Sequence, residues 1–170
     1  MHFAIKKIIG KQNGLNICLA TMLLMLGCAE QPEPWFTEAD RREIERSAKE
    51  LPLVLAQEGW APYEAHFAKH YKNWPMMRDA TRSREEFLSL VKTWYEAGNR
   101  ATASETETID FIPIAKDMVL YLRSQKEAFN DPKDSTITVV RDMRNVSIHI
   151  KEDGRWKSLF TAFMDIPEKE

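Results

Sequence analysis

The sequence predicts an α+β fold, with N-terminal helices covering one face of a twisted antiparallel sheet. Three observations carry this. Between Thr37 and Gly98 apolar residues recur at spacings of three and four, whereas from Arg100 they recur at every second position. Helices first and strands after is the order of a segregated helix layer and sheet. The composition, 170 residues with 44% hydrophobic and 29% charged and a net charge of −2, suits one globular domain plus a short appendage. It is too apolar for a disordered chain, and no basic excess points to nucleic acid. Two cysteines, Cys18 and Cys28, cannot build a disulfide scaffold.

The first 27 residues form a class of their own. Lys6, Lys7 and Lys11 stand in a stretch without acids, the apolar run Leu15–Leu26 follows, and Gly27-Cys28 closes it. A cationic start, about 12 apolar residues and a small residue at the cut describe a secretory signal, too short to span a bilayer. The alternative, a buried helix, would set three lysines before an apolar block with no amphipathic face. Leu24-Met25-Leu26-Gly27-Cys28 resembles the lipobox of bacterial lipoproteins, although Met25 stands where leucine is usual. That resemblance implies acylation of the Cys28 thiol, removal of residues 1–27 and acylation of the new N-terminus. Several acyl chains on one residue give stable membrane anchoring. Ala29 in place of aspartate after the cysteine implies, in a Gram-negative cell, the outer membrane, facing the periplasm. The expected mature chain is 143 residues with net charge −5, since three lysines and no acid leave with the signal. Thiol catalysis and cysteine metal sites are then excluded. Residues 28–36, with Pro32 and Pro34, read as a lipidated tether.

Thr37 with Asp40 three residues on resembles a helix N-cap box, and Ile44, Ala48, Leu51 and Leu55 then share one helical face. Pro52 lies inside that pattern and is expected to kink or divide the helix, which ends near Glu58-Gly59. Pro62 suits a first helical position, and Tyr63, His66, Phe67 and His70 fall on one face of a short second helix. Ser83-Arg84-Glu85-Glu86 is a capping box. Phe87, Leu88, Val91, Trp94 and Tyr95 continue its helix to Ala97-Gly98, with Gly98 placed for left-handed geometry.

Strands are expected from Thr102–Pro113, around Met118–Arg123, over Val146–Lys151 and from Trp156 to Ile166. Alternation puts Val146, Ile148 and Ile150 on the core face and His149, alone, on the outer face. For the last hairpin, a three-residue Glu152-Asp153-Gly154 loop would pair Ile150 with Trp156 and Val146 with Phe160. A two-residue Asp153-Gly154 loop would pair Lys151 with Trp156. The first register builds a continuous apolar face and is the one expected.

Trp94-Tyr95-Glu96-Ala97-Gly98-Asn99-Arg100, Glu152-Asp153-Gly154-Arg155-Trp156-Lys157 and the segment Tyr63–Trp74 resemble the nuclear transport factor 2-like superfamily, in particular its SnoaL-like (polyketide-cyclase-like) branch. The resemblance covers residues 37–167. It implies a cone-shaped α+β fold enclosing a pocket between sheet and helices. It does not imply one activity, because the fold serves isomerases, cyclases, dehydratases, binding proteins and adaptors.

Isomerase-like members use a carboxylate near the first strand together with a tyrosine and a protonated aspartic acid. Here Tyr71-Lys72-Asn73-Trp74-Pro75 offers Asn73 or Trp74 at that place, which counts against isomerisation. Asp110 and Asp165 alternate with apolar residues and are expected to face solvent. Asp142 and Arg144 share parity with Val146, so an unbroken strand would point them into the pocket as a carboxylate–guanidinium pair, whereas a bulge would expose them. His66 and His70 lack a third ligand for zinc. Tyr63, Phe67, Trp74, Trp94 and Tyr95 are core aromatics that are also candidates to line the pocket, with Asp142 and Arg144. No phosphate loop, Ser–His–Asp order or metal-spaced acidic cluster appears, and no cofactor is implied. The reading is a cell-envelope lipoprotein binding a small apolar or amphipathic ligand. Alternatives are an isomerase, cyclase or dehydratase, and an envelope interaction module. The last would pair as a homodimer, or dock another protein, through Leu159, Phe163 and Val119 on the outer sheet face.

Overall fold

The computed structural model describes residues 35–134 and 137–166. The signal, Cys28, most of the tether and the boundary at Pro167 lie outside the described residues. Three helices and six strands follow in the order α1 (Glu38–Gln57), α2 (Trp60–Ala65), β1 (Phe67–Pro75), β2 (Arg82–Ser83), α3 (Arg84–Glu96), β3 (Ala101–Ala115), β4 (Met118–Asn130), β5 (Thr138–Glu152) and β6 (Arg155–Asp165). No helix among them is long and apolar enough to cross a membrane.

Both long helices start where their local chemistry dictates. The Thr37 side chain accepts from the Asp40 N–H and the Asp40 carboxylate accepts from the Thr37 N–H; Ser83 and Glu86 repeat the exchange at α3. Helix α1 runs undivided through Pro52. Helix α2 is shorter than its spacing suggests. His66 is its C-cap, and Phe67 and His70 belong to β1, so the two histidines share no helical face. Gly98 takes φ 94° beyond α3, a backbone conformation that a β-carbon disfavours.

The sheet order is β2-β1-β6-β5-β4-β3. It is mixed rather than wholly antiparallel, because β1 runs parallel to β6 while every other pair is antiparallel. The final hairpin takes the two-residue loop, with Lys151 opposite Trp156 and Glu152 opposite Arg155. Asp153 and Gly154 both have positive φ (55° and 75°), the requirement of a type I′ turn. His149 pairs with Ser158 and Ile148 with Phe160, so Leu159 is an extra residue that shifts the parity of β6 midway. The expected three-residue register is therefore incorrect.

The two faces of the sheet are also exchanged relative to expectation. The inward face of β4 and β5, under the helices, carries Val119, Tyr121, Arg123 and Gln125 beside Met143, Asn145, Ser147 and His149, all buried. Leu120, Leu122, Val146 and Ile148 lie on the outer face, half-buried. His149 is thus an inner residue, Val119 is fully buried, and Phe163 faces inward. The helices supply the apolar side of the interior. Ile44 and Ala48 pack with Phe111, Val119, Tyr121 and Trp156, while Val54 and Leu55 pack with Tyr63, Phe67, Tyr71 and Leu88. Phe111 and Tyr121 stack with centroids 4.2 Å apart and planes 2° from parallel.

Candidate functional site

A cavity of about 830 Å³ lies between the inward face of the sheet and the helices. Its walls are apolar: Leu51 and Leu55 from α1, Phe87, Leu90 and Val91 from α3, and Phe129, Val139 and Phe163 from the sheet. Leu90 and Val139 are 49% and 50% exposed and mark the mouth. The opposite end is polar because alternation along β4 and β5 sends Arg123, Gln125, Glu127 and Asn145 to this face.

These groups form one connected network. Arg123 Nε donates to Gln125 Oε1 at 3.1 Å and its Nη1 donates to Ser147 Oγ at 2.7 Å. Asn145 Nδ2 donates to the same Gln125 oxygen at 3.2 Å, and Gln125 Nε2 donates to Glu127 Oε1 at 2.8 Å. Ser147 Oγ lies 3.0 Å from His149 Nε2. The serine oxygen already accepts from Arg123, so its hydroxyl proton goes either to an unprotonated Nε2 or to the Tyr121 carbonyl 3.5 Å away, and Nε2 is the nearer acceptor. The electrostatics agree: complete burial, reinforced by the Arg123 charge, lowers the His149 pKa to about 3 and keeps the ring neutral.

Burial raises the Glu127 carboxyl above the usual carboxylate range, with Arg141 and Arg123 opposing that shift. It is the cavity carboxyl best placed to exchange a proton with a bound molecule. Burial likewise pushes the Tyr71 hydroxyl up to about 12 and raises Tyr63, so both remain neutral phenols. Asn73 Nδ2 contacts Tyr71 Oη at 3.5 Å and the Thr161 carbonyl at 3.4 Å. Its Oδ1 has no partner although the residue is 2% exposed.

Of the residues singled out by sequence, Tyr63, Phe67 and Trp94 line the cavity. Trp74 points from the other face of β1, with its indole N–H donating to the Arg78 carbonyl at 2.8 Å. Tyr95 is half-buried with the Arg100 guanidinium 3.5 Å above its ring. Asp142 and Arg144 stand exposed on the outer face of an unbroken β5, because the apolar parity they follow is the outer one. Asp110 is exposed as expected. Asp165 is also exposed but sits at the cavity rim, where it receives two hydrogen bonds from Arg141. The polar cavity-lining residues not singled out by sequence are Arg123, Gln125, Glu127 and Asn145. Their signal was the alternation of Val119, Tyr121, Arg123 and Gln125 against Leu120 and Leu122, in which the larger aromatic and the polar residues share parity. Among the described residues no cluster of three or more His, Cys, Asp or Glu could hold a metal ion.

No family model matches this chain, and no curated protein is similar to it in sequence. Solved structures are similar in fold. A ketosteroid isomerase-like protein from Erwinia carotovora atroseptica superposes with a TM-score of 0.59 at 11% identity, over 78% of this chain and 100% of its own. A nuclear transport factor 2-like protein of unknown function from Prochlorococcus marinus gives 0.56 at 10% identity, over 76% of this chain and 94% of its own. The association domain of C. elegans CaMKII gives 0.55 at 17% identity, over 74% and 95%. At these identities the likeness is one of fold alone: the described residues share the α+β cone architecture of these ketosteroid isomerase-like and nuclear transport factor 2-like structures.

Proposed function

We propose that this domain, of the SnoaL-like kind within its fold, binds one small amphipathic molecule in the cone cavity. The observation that carries this reading is the cavity itself, with a largely apolar wall, an opening flanked by Leu90 and Val139, and a hydrogen-bonded polar floor. Its volume is in the usual range for ligand sites, and apolar walls with a few placed polar groups are the usual lining. The test is titration with the apolar fluorophore N-phenyl-1-naphthylamine. The expected result is one saturable site per chain, lost when Leu90→Trp and Val139→Trp together fill the mouth. Unaltered binding in that variant would place the site elsewhere.

The cellular setting belongs to the same proposal. The lipobox-like Leu24–Cys28 supports an exported lipoprotein held to a membrane through lipid on Cys28. Metabolic labelling with an alkynyl palmitate should mark the wild-type chain and leave Cys28→Ser unlabelled; equal labelling of both would rule out Cys28 as the acylated residue.

A homodimeric state is favoured by a separate observation. Ile112, Leu120, Ile148 and Phe160 are successive cross-strand partners on the outer sheet face, and Leu122 and Val146 begin the next row. Apolar rows of this extent on an outer face mark an association surface. A second copy is the occupant that the association-domain neighbour supports. Sedimentation should give a dimer that Leu120→Glu converts to monomer; a monomeric wild type would contradict it.

A further inference from the structure

The cavity floor holds a buried cation with no direct ion pair among the described residues; the nearest carboxyl, Glu127, reaches it only through Gln125. Arg123 is 7% exposed and faces the cavity. A guanidinium has five N–H donors. Here one goes to Gln125 and one to Ser147, both neutral acceptors. None of the ion pairs among the described residues includes Arg123. Removing a guanidinium from water without a partner is costly, so this arrangement calls for an anion.

The neighbouring groups leave its Nη atoms without an acidic partner; Glu127 acts on it only at a distance. Glu127 lies two residues along the same face of β4, about 7 Å away along the strand, and its carboxyl is held by Gln125. Tyr63, Tyr71 and His149 are neutral there. Arg141 and Asp165 satisfy one another at the rim. A doubly charged head group would oppose Glu127 with more charge than one guanidinium compensates. A single carboxylate matches the planar donors that Arg123 leaves free. Above the floor an apolar strip of wall, Leu51, Phe87, Val91 and Phe129, runs to the exposed Leu90 and Val139, beside the Arg141–Asp165 pair at the rim.

From this geometry we infer that the cavity takes an apolar monocarboxylate head first, its carboxylate on the free Nη donors of Arg123 and its hydrocarbon body along Leu51, Phe87, Val91 and Phe129 to the mouth. The inference rests on the binding role proposed above and adds the ligand class.

The test is displacement of N-phenyl-1-naphthylamine from the full-length chain by dodecanoate, 1-dodecanol and dodecylammonium, three ligands with one tail and different heads. The expected result is dodecanoate displacing at a concentration at least about tenfold below that of dodecanol, with dodecylammonium weakest, because a hydrogen bond to a charged group is the stronger kind. Arg123→Gln should weaken dodecanoate to the level of dodecanol and leave dodecanol within about twofold of wild type. Equal displacement by dodecanoate and dodecanol in the wild type would overturn the carboxylate assignment while leaving a ligand-binding cavity. Absence of any fluorophore binding would overturn the cavity reading and this inference with it. The comparison of heads is made in the wild type, so it stands even where Arg123→Gln fails to fold.

Discussion

Asp40 accepts a hydrogen bond from the Trp156 indole at 2.8 Å, tying the first turn of α1 to the start of β6 across 116 residues of sequence. The same carboxylate oxygen accepts from Lys151 Nζ at 2.9 Å, and the other closes the Thr37 cap. Burial works against its charge, but the bonds from Thr37, Trp156 and Lys151 outweigh that and hold its pKa well below the usual carboxylate range. Asp40→Ala should therefore cost about 3 kcal/mol at pH 7, through a lost cap and an indole N–H left unpaired in the core. A carboxylate with a depressed folded pKa stabilises above its unfolded value and loses that contribution as pH falls. The gap between wild type and Asp40→Ala should accordingly narrow below about pH 4. Urea denaturation at pH 7 and pH 3 measures both.

His149 sets a second pH dependence. Its folded pKa near 3 means that the native protein refuses a proton which the unfolded chain takes up near pH 6.5. Stability should fall as pH drops through that window, by up to about 1.4 kcal/mol per unit from this residue. In His149→Gln the slope between pH 6.5 and pH 4.5 should flatten. Identical slopes in the two proteins would show that the imidazole is not shielded.

Glu127 predicts the opposite sign. A carboxyl whose folded pKa is raised costs stability once the unfolded chain ionises, so the cost grows as pH rises above about 4.3. Glu127→Gln keeps the acceptor for Gln125 and removes the charge. It should be more stable than wild type at pH 7 and indistinguishable from it at pH 4, as read from thermal midpoints.

The turn at Asp153-Gly154 gives a backbone prediction. Gly154→Ala places a β-carbon at φ 75° and should destabilise by about 1 kcal/mol, whereas Asp153→Gly, at φ 55°, should be neutral or slightly stabilising. A type I turn with a three-residue loop would hold Asp153 at negative φ, and Asp153→Gly would then destabilise by about 0.5–1 kcal/mol. Guanidinium denaturation of both variants separates the two geometries.

What could be read from sequence was what local chemistry determines. Thr37 with Asp40 and Ser83 with Glu86 announce helix starts because cap and acceptor are three residues apart in the chain itself. The change of period near Arg100 likewise announces the sheet. The faces of the sheet were not legible, because the rule that apolar residues turn inward fails where the interior is a polar-floored cavity. Val146 and Ile148 read as core and lie outside; His149 read as surface and lies inside, bonded to Ser147, which accepts from Arg123. The hairpin register failed for the same reason, compounded by the extra Leu159, which hides a change of parity inside an alternating pattern. Tyr63, Phe67 and Trp94 line the cavity, whereas Trp74 on the opposite face of β1 and Tyr95 beneath Arg100 do not, because aromatic character alone does not tell which face of an element a residue occupies.

The central claim is that the cone cavity holds an amphipathic ligand with its polar end at Arg123. A crystal structure of the chain grown with dodecanoate tests it most directly. The account predicts continuous density inside the cavity, the carboxylate within about 3 Å of an Arg123 Nη atom and the alkyl tail ending between Leu90 and Val139. An unoccupied cavity with dodecanoate lying against Leu120 and Phe160 on the outer sheet face would contradict it.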